Sequence, residues 1–278
     1  MALRVAAAIS LVLGAQGVSH GQKNLRLEKE AAHTEPPRSF VRALEFKHSL
    51  RVCNAYPDAS ELTVRRGADE LTGETPMPYK DCRDFEAGLI AGDKLEFKIG
   101  DTTTGTFSVS DLPNSDAVLL LVIHRHDAES TAVAFDSHVF ANTDAAQVAV
   151  IDTYKGSARA TPRITTHIVA AAAADNQHPA TPSSEELRFD SVVAVDAGSY
   201  DVSLEAADGH EEAKSQLVAV PRGSYVVLRT GVESKQGQAY PEELVVFPNG
   251  SAAVANSAAT SGGFWSARLR ALFAHFWH

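Results

Sequence analysis

The chain is poor in the residues that announce specialised folds. Its 278 residues include two cysteines, two methionines and two tryptophans, and aromatic residues make up 7%. Two cysteines exclude a densely cross-linked mini-protein and the four-ligand thiolate zinc modules. No run of about 20 apolar residues occurs, so no segment has the length of a transmembrane helix. Basic residues are outnumbered, 25 against 35 acidic, for a net charge of −10. Phosphate backbones are held by basic faces, so this balance argues against nucleic acid as a partner. There is no P-loop, no G-x-G-x-x-G dinucleotide fingerprint and no G-x-S-x-G elbow, so no cofactor and no activated serine is expected.

What is present is ordinary for a folded chain, 44% hydrophobic and 22% charged. The length suggests about two domains. The apolar segments are short, bounded by turns, and occur in two series of the same order. LRVCNAY (50–56) answers to QVAVIDTY (147–154), LIAGDKLEFKI (89–99) to AVDAGSYDVSL (194–204), and SVSDLPNSDAVLLLVIH (108–124) to LVAVPRGSYVVLRTG (217–231). In KLEFKI, Leu95, Phe97 and Ile99 alternate with Lys94, Glu96 and Lys98, the period of a half-buried strand. AVLLLVIH (117–124) is a continuous apolar run of strand length, which reads as a central strand covered on both faces. Strands every 8–12 residues with turn signals between them predict an all-β fold of two tandem Ig-like antiparallel β-sandwiches. A parallel α/β fold has no room here for its helical crossovers.

The expected organisation is a signal peptide over 1–20, a disordered arm over 21–39, sandwiches over 40–144 and 145–248, a flexible linker over 249–263 and an aromatic amphipathic helix over 264–278. The signal reading rests on Arg4, the apolar run VAAAISLVLGA (5–15) and small residues at Ala15 and Gly17. The alternative is a buried helix of the fold. FVRALEF (40–46) is read as the start of the first strand, and 158–184, with its alanine run and prolines, as an inserted loop.

Cys53, in the first strand, and Cys82, about 29 residues on and before the next strand, are most simply a disulfide in an oxidising compartment; a two-thiol metal or redox pair is the rival. The second series carries no matching cysteine, so the bridge is a local staple of the first.

LRVCNAYPDASELTV, the GDKLEFKIG-type strand and the LP-x-x-x-AVLLLVI strand together resemble a family of secreted bacterial domains of unknown function. Their first strand opens R-V-x-N-A-x-P-D-A and a later strand follows P-A-G-T-Y-x-V-x-V, to which DAGSYDVSL (196–204) is similar. The tandem pair is also similar in architecture to the periplasmic alginate O-acetylation accessory protein F family. The resemblance covers 48–248 and implies a small sandwich used for binding or scaffolding outside the cytoplasm, without chemistry of its own. The chain departs from both patterns in its cysteine pair, in the 158–184 stretch and in its aromatic C-terminus.

Candidate sites are few. His124 and His126 alternate near a strand end, with His138 a dozen residues on, the pattern of a weak copper or zinc site; a polar strand end is the plainer reading. Glu185-Glu186 and Glu242-Glu243 read as solvated strand edges. Asn249 opens an N-G-S glycosylation triplet. In FWSARLRALFAHFWH (264–278), Trp265, Leu269, Leu272 and Phe276 fall on one helical face. That face fits a membrane surface, a protein partner, or, less well given Arg268 and Arg270, the tail of a lipid-anchor signal.

Function is therefore expected to be that of a secreted, cell-surface or periplasmic non-enzymatic interaction or scaffold protein, with a carbohydrate or envelope-protein partner and peripheral membrane contact through the tail. The alternative is an accessory factor or hydrolase acting on extracellular polysaccharide.

Overall fold

The computed structural model describes residues 45–167, 182–235 and 237–249, which hold sixteen strands and, among the described residues, no helix. The first eight are β1 (His48–Ala55), β2 (Leu62–Arg66), β3 (Asp69–Glu70), β4 (Cys82–Phe85), β5 (Lys94–Ile99), β6 (Thr102–Ser108), β7 (Ala117–Arg125) and β8 (Val133–Ala141). The second eight are β9 (Ala146–Asp152), β10 (Ala160–Thr166), β11 (Ser184–Glu186), β12 (Ser191–Val195), β13 (Gly198–Ala206), β14 (Glu211–Ala219), β15 (Ser224–Val232) and β16 (Tyr240–Phe247).

They form four sheets, β4-β1-β7-β8 and β3-β2-β5-β6 in the first half, β12-β9-β15-β16 and β11-β10-β13-β14 in the second. Adding eight to every number in the first pair of orders gives the second pair. The three matched sequence segments lie on β1 and β9, β5 and β13, and β7 and β15.

Side-chain alternation makes each half a sandwich. On β1 and β7, Leu50, Val52, Leu119, Leu121 and Ile123 face Leu62, Val64, Leu95 and Phe97 of the opposite sheet. On β9 and β15, Val148, Val150, Tyr225 and Val227 face Ile164, Val202 and Leu217. The other faces of the two inner sheets do not meet water. Cys53, Ala55, Leu120, Val122 and Phe140 from the first half pack on Ala149, Ile151, Val226 and Leu228 from the second. The result is four stacked layers, and the described residues all fall within one compact unit. This third core explains why β1, β7, β9 and β15 are buried along most of their length rather than at every second residue: they are covered on both sides.

The sheets are not antiparallel throughout. β1 runs parallel to β7, and β9 parallel to β15. A parallel pair requires a crossover, and here the strands of the opposite sheet supply it, β2, β3, β5 and β6 in one half and β10, β11, β13 and β14 in the other, in place of a helix.

Four further expectations change. The first strand begins at His48, and residues 45–46 of the FVRALEF segment are outside it. Cys82 lies in a strand, β4, opposite Cys53 in the register with β1. The 158–184 stretch is not all loop: its first part is β10, with Pro162 and Ile164 buried. Pro162 is tolerated because β11 pairs only with Arg163–Thr165; at Pro162 an acceptor alone is used, by Leu187 N–H. Glu242 is not a solvated edge; its carboxylate is held by Arg229, as described below. The expected signal peptide, N-terminal arm, linker beyond Asn249 and C-terminal helix with Trp265, Leu269, Leu272 and Phe276 lie outside the described residues.

Candidate functional site

The polar chemistry of the described residues collects where β1, β7, β9 and β15 end, at the same edge of the stack. One register pair differs in kind between the halves. In the parallel registers, Asn54 stands beside Ile123 in the first half and Asp152 beside Arg229 in the second. Asn54 and Asp152 play the same local part: each accepts the backbone N–H of a tyrosine two residues on, Tyr56 at 3.1 Å and Tyr154 at 3.0 Å. A neutral pair at one position is thus an ion pair at the other.

Arg229 is 5% exposed and points into the second sandwich. Its Nη1 donates to Asp152 at 3.0 Å, Nε to Glu242 at 2.9 Å and Nη2 to the Ala158 carbonyl at 2.7 Å. Tyr154 and Phe189 flank the guanidinium, with centroids at 4.5 and 5.7 Å. Burial alone lowers the pKa of Arg229, and the two carboxylates outweigh it, so the net shift is upward. Beside it the Tyr154 hydroxyl donates to Glu233 at 2.6 Å. Burial, then that bond to a carboxylate, pushes the Tyr154 pKa up to about 12. The same hydrogen bond and the Ser157 backbone N–H lower the pKa of Glu233. Every acid of the cluster is committed to a donor.

A second group bridges the halves. Tyr79 and Tyr240 meet edge to face at 5.3 Å, the Tyr79 hydroxyl is 3.1 Å from Thr230 Oγ1, and Lys80 pairs with Glu243 at 2.7 Å. Thr230 Oγ1 also donates to the Ala55 carbonyl at 3.3 Å. At the other end of the interface Arg51 forks onto Asp84, at 2.6 and 2.9 Å, donates to the Ser224 carbonyl and lies over the Phe247 ring at 5.0 Å.

The histidines expected as a weak metal set are not brought together. His124 is buried on the face of β7 that meets the second half, with Nδ1 2.8 Å from the Arg125 carbonyl and Nε2 3.0 Å from Asp136. That contact lowers the pKa of Asp136. His126 lies past the end of β7, exposed, beside Asp127 at 3.0 Å. His138 faces Leu120 across β7–β8, four register positions from His124, and packs edge to face on Phe140 at 4.9 Å. Among the described residues no group of three or more His, Cys, Asp or Glu side chains is placed to hold a metal. Cys53 and Cys82 are disulfide-bonded. Asn249 is exposed just beyond β16.

The Arg229 cluster escaped sequence reading. LRTG and EEL each look like strand ends, and Asp152, Arg229 and Glu242 meet only through a parallel pairing and a hairpin. The one available signal was a charged residue, Asp152, in the otherwise apolar phase Ala146, Val148 and Val150 of its strand.

No family model matches the chain, and no curated protein matches it. Among solved structures it is similar to CBMbc (family CBM26) from Eubacterium rectale Amy13K, crystallised in complex with maltoheptaose. The TM-score is 0.23 at 8% identity, over 73% of this chain and 96% of that one. Likeness at that level leaves the fold and the site to this chain's own geometry.

Proposed function

We propose that this is a secreted or cell-surface protein without catalysis of its own, a rigid two-sandwich scaffold of the kind the secreted sandwich family suggests, which binds a carbohydrate or an envelope protein. The observation that carries the reading is the third core. Two sandwiches on a free linker tumble independently, whereas here the inner sheets bury Leu120, Val122, Val226 and Leu228 against each other. The fused block presents two outer sheet faces and its strand edges in fixed relation, as a scaffold requires. The disulfide suits an oxidising compartment. The acids that a polysaccharide hydrolase needs free to work across a cleft are instead tied to Arg229, Tyr154 and Lys80. The C-terminal segment adds contact with a membrane surface.

The test is retention of the purified protein on immobilised polysaccharides and envelope proteins, run beside a reducing-end assay on the same polysaccharides. Saturable retention without product release is expected. Turnover abolished by Asp152→Asn or Glu242→Gln would replace this reading with a hydrolase.

A further inference from the structure

Among the described residues, the large apolar side chains left exposed are Phe46, Ile90, Val192 and Val220, at 41%, 65%, 38% and 39%. Three of the four lie at one end of the stack. Phe46 directly precedes the Lys47-His48 start of β1. The His48 carbonyl accepts the Leu89 N–H at 3.0 Å, which sets Ile90 beside that strand start. Val220 opens the turn into β15, where its carbonyl accepts the Gly223 N–H at 3.0 Å. Arg51, near the start of β1, donates to the carbonyl of Ser224, the first residue of β15, so β1 and β15 begin at the same end. Val192 alone lies elsewhere, within the edge strand β12.

The last strand also finishes at this end. β16 runs antiparallel to β15, and its final residue, Phe247, stands opposite Val226 near the start of β15. From Asn249 onward the sequence leads to 264–278, which holds both tryptophans of the chain, Trp265 and Trp277. The segment read above as membrane-contacting therefore follows from the end that carries Phe46, Ile90 and Val220. The Arg229 cluster and the Tyr79–Tyr240 pair lie at the opposite end, and the nine residues of β7 put about 30 Å between the two. The charges near the three apolar side chains have both signs and form pairs, Arg66 with Asp93 at 3.6 Å and Arg222 with Asp144 at 2.8 Å. What this end offers a partner is apolar contact rather than a field of one sign.

We infer that this end of the stack is a membrane-facing surface, on which Phe46, Ile90 and Val220 enter the headgroup region of a lipid bilayer. Each apolar side chain gains there in proportion to the area it takes out of water. Two weak contacts in one chain reinforce each other, because the second forms at high effective concentration once the first is made. The far end, with Arg229, Tyr154, Tyr79 and Tyr240, then faces away from the membrane, open to a carbohydrate or protein partner. The inference rests on the membrane contact proposed above for the C-terminal segment and adds the face of the folded block that joins it.

The test uses tryptophan fluorescence of the full secreted chain with phosphatidylcholine vesicles brominated in their acyl chains. In the native protein Trp265 and Trp277 report on the C-terminal segment. With both replaced by Phe, Ile90→Trp reports on the proposed face, and His126→Trp, at an exposed position past the far end of β7, on the opposite one. The reporter at 90 is expected to be quenched and the reporter at 126 not. Partitioning of the otherwise native chain onto unbrominated vesicles is expected to fall about tenfold when Phe46→Ser, Ile90→Ser and Val220→Ser are combined. The melting temperature of that variant stays at the native value, since all three side chains are exposed. Quenching of neither reporter, equal quenching of both, or undiminished partitioning of the triple variant overturns the inference. So does a blue shift of the reporter at 90 that grows with protein concentration in the absence of lipid, which makes this end a contact between copies. Quenching at 90 while Trp265 and Trp277 stay unquenched supports the face and removes the C-terminal contact; the converse removes the face and leaves that contact standing.

Discussion

Arg51 of the first sandwich donates through Nη1 to the backbone carbonyl of Ser224 in the second, at 2.5 Å. The bond joins β1 to the start of β15 across the dry face between the inner sheets. Its donor is held in place by the fork onto Asp84. Two halves joined this way should not unfold separately.

Arg51→Met keeps the aliphatic stem over Phe247 and removes every charge-assisted bond. Loss of a charge-assisted bond of this kind costs on the order of 2 kcal/mol. The expected result in urea is one cooperative transition for the native protein and one, at lower midpoint, for the variant. Two transitions in the native protein would show that the third core does not couple the halves.

Cys53 and Cys82 face each other across β1–β4 and close a loop of sequence separation 29. In the chain-entropy model a loop of that size is worth about 3–4 kcal/mol. Cys53→Ser with Cys82→Ser is expected to lose at least that much, since Cys53 also lies in the core shared by both halves. Equilibrium denaturation with and without reductant measures it, and reductant should leave the double variant's midpoint unmoved.

Arg229 holds two carboxylates that are themselves only 25% and 15% exposed on their side chains. Arg229→Met strands both, at a cost of about 3–5 kcal/mol. Adding Asp152→Asn and Glu242→Gln removes the stranded charges, and the triple variant should recover most of the loss. Denaturation midpoints of the single and triple variants decide it; an additive decline would mean that the cluster is not a unit.

His138 carries its own pH signature. Burial lowers its pKa below the usual 6.5, so the folded state prefers the neutral ring. A group of this sign contributes fully above about pH 6.5 and less as pH falls from there toward the lowered value. The Asp136 carboxylate, lowered by His124, adds a separate loss only below about pH 4. Melting temperature between pH 7 and 5 should therefore fall in the native protein, with a shallower slope in His138→Phe. Equal slopes would remove His138 as the cause.

Much of the architecture was legible along the chain because it is written in local periodicity. Turn residues at short intervals and alternation in KLEFKI identify half-buried strands, and the unbroken run AVLLLVIH identifies a strand covered twice. The cysteine pair was legible from count, since the chain offers neither thiol any other cysteine to bridge. The polar sites were not. Asp152 and Arg229 are 77 residues apart and Arg51 and Ser224 173 apart, and no local rule relates positions at such distances. Asp152 and Arg229 meet because β9 and β15 run parallel, a pairing that only a crossover through the opposite sheet permits, and Arg51 meets Ser224 because the two inner sheets stack. The strand pattern by itself determined sandwiches and their cores, because burying apolar faces is a property of each segment. Which face of an inner sheet meets the other half, and which carboxylates a buried arginine there finds, was decided by tertiary stacking, because counter-charges are supplied across strands and not along them.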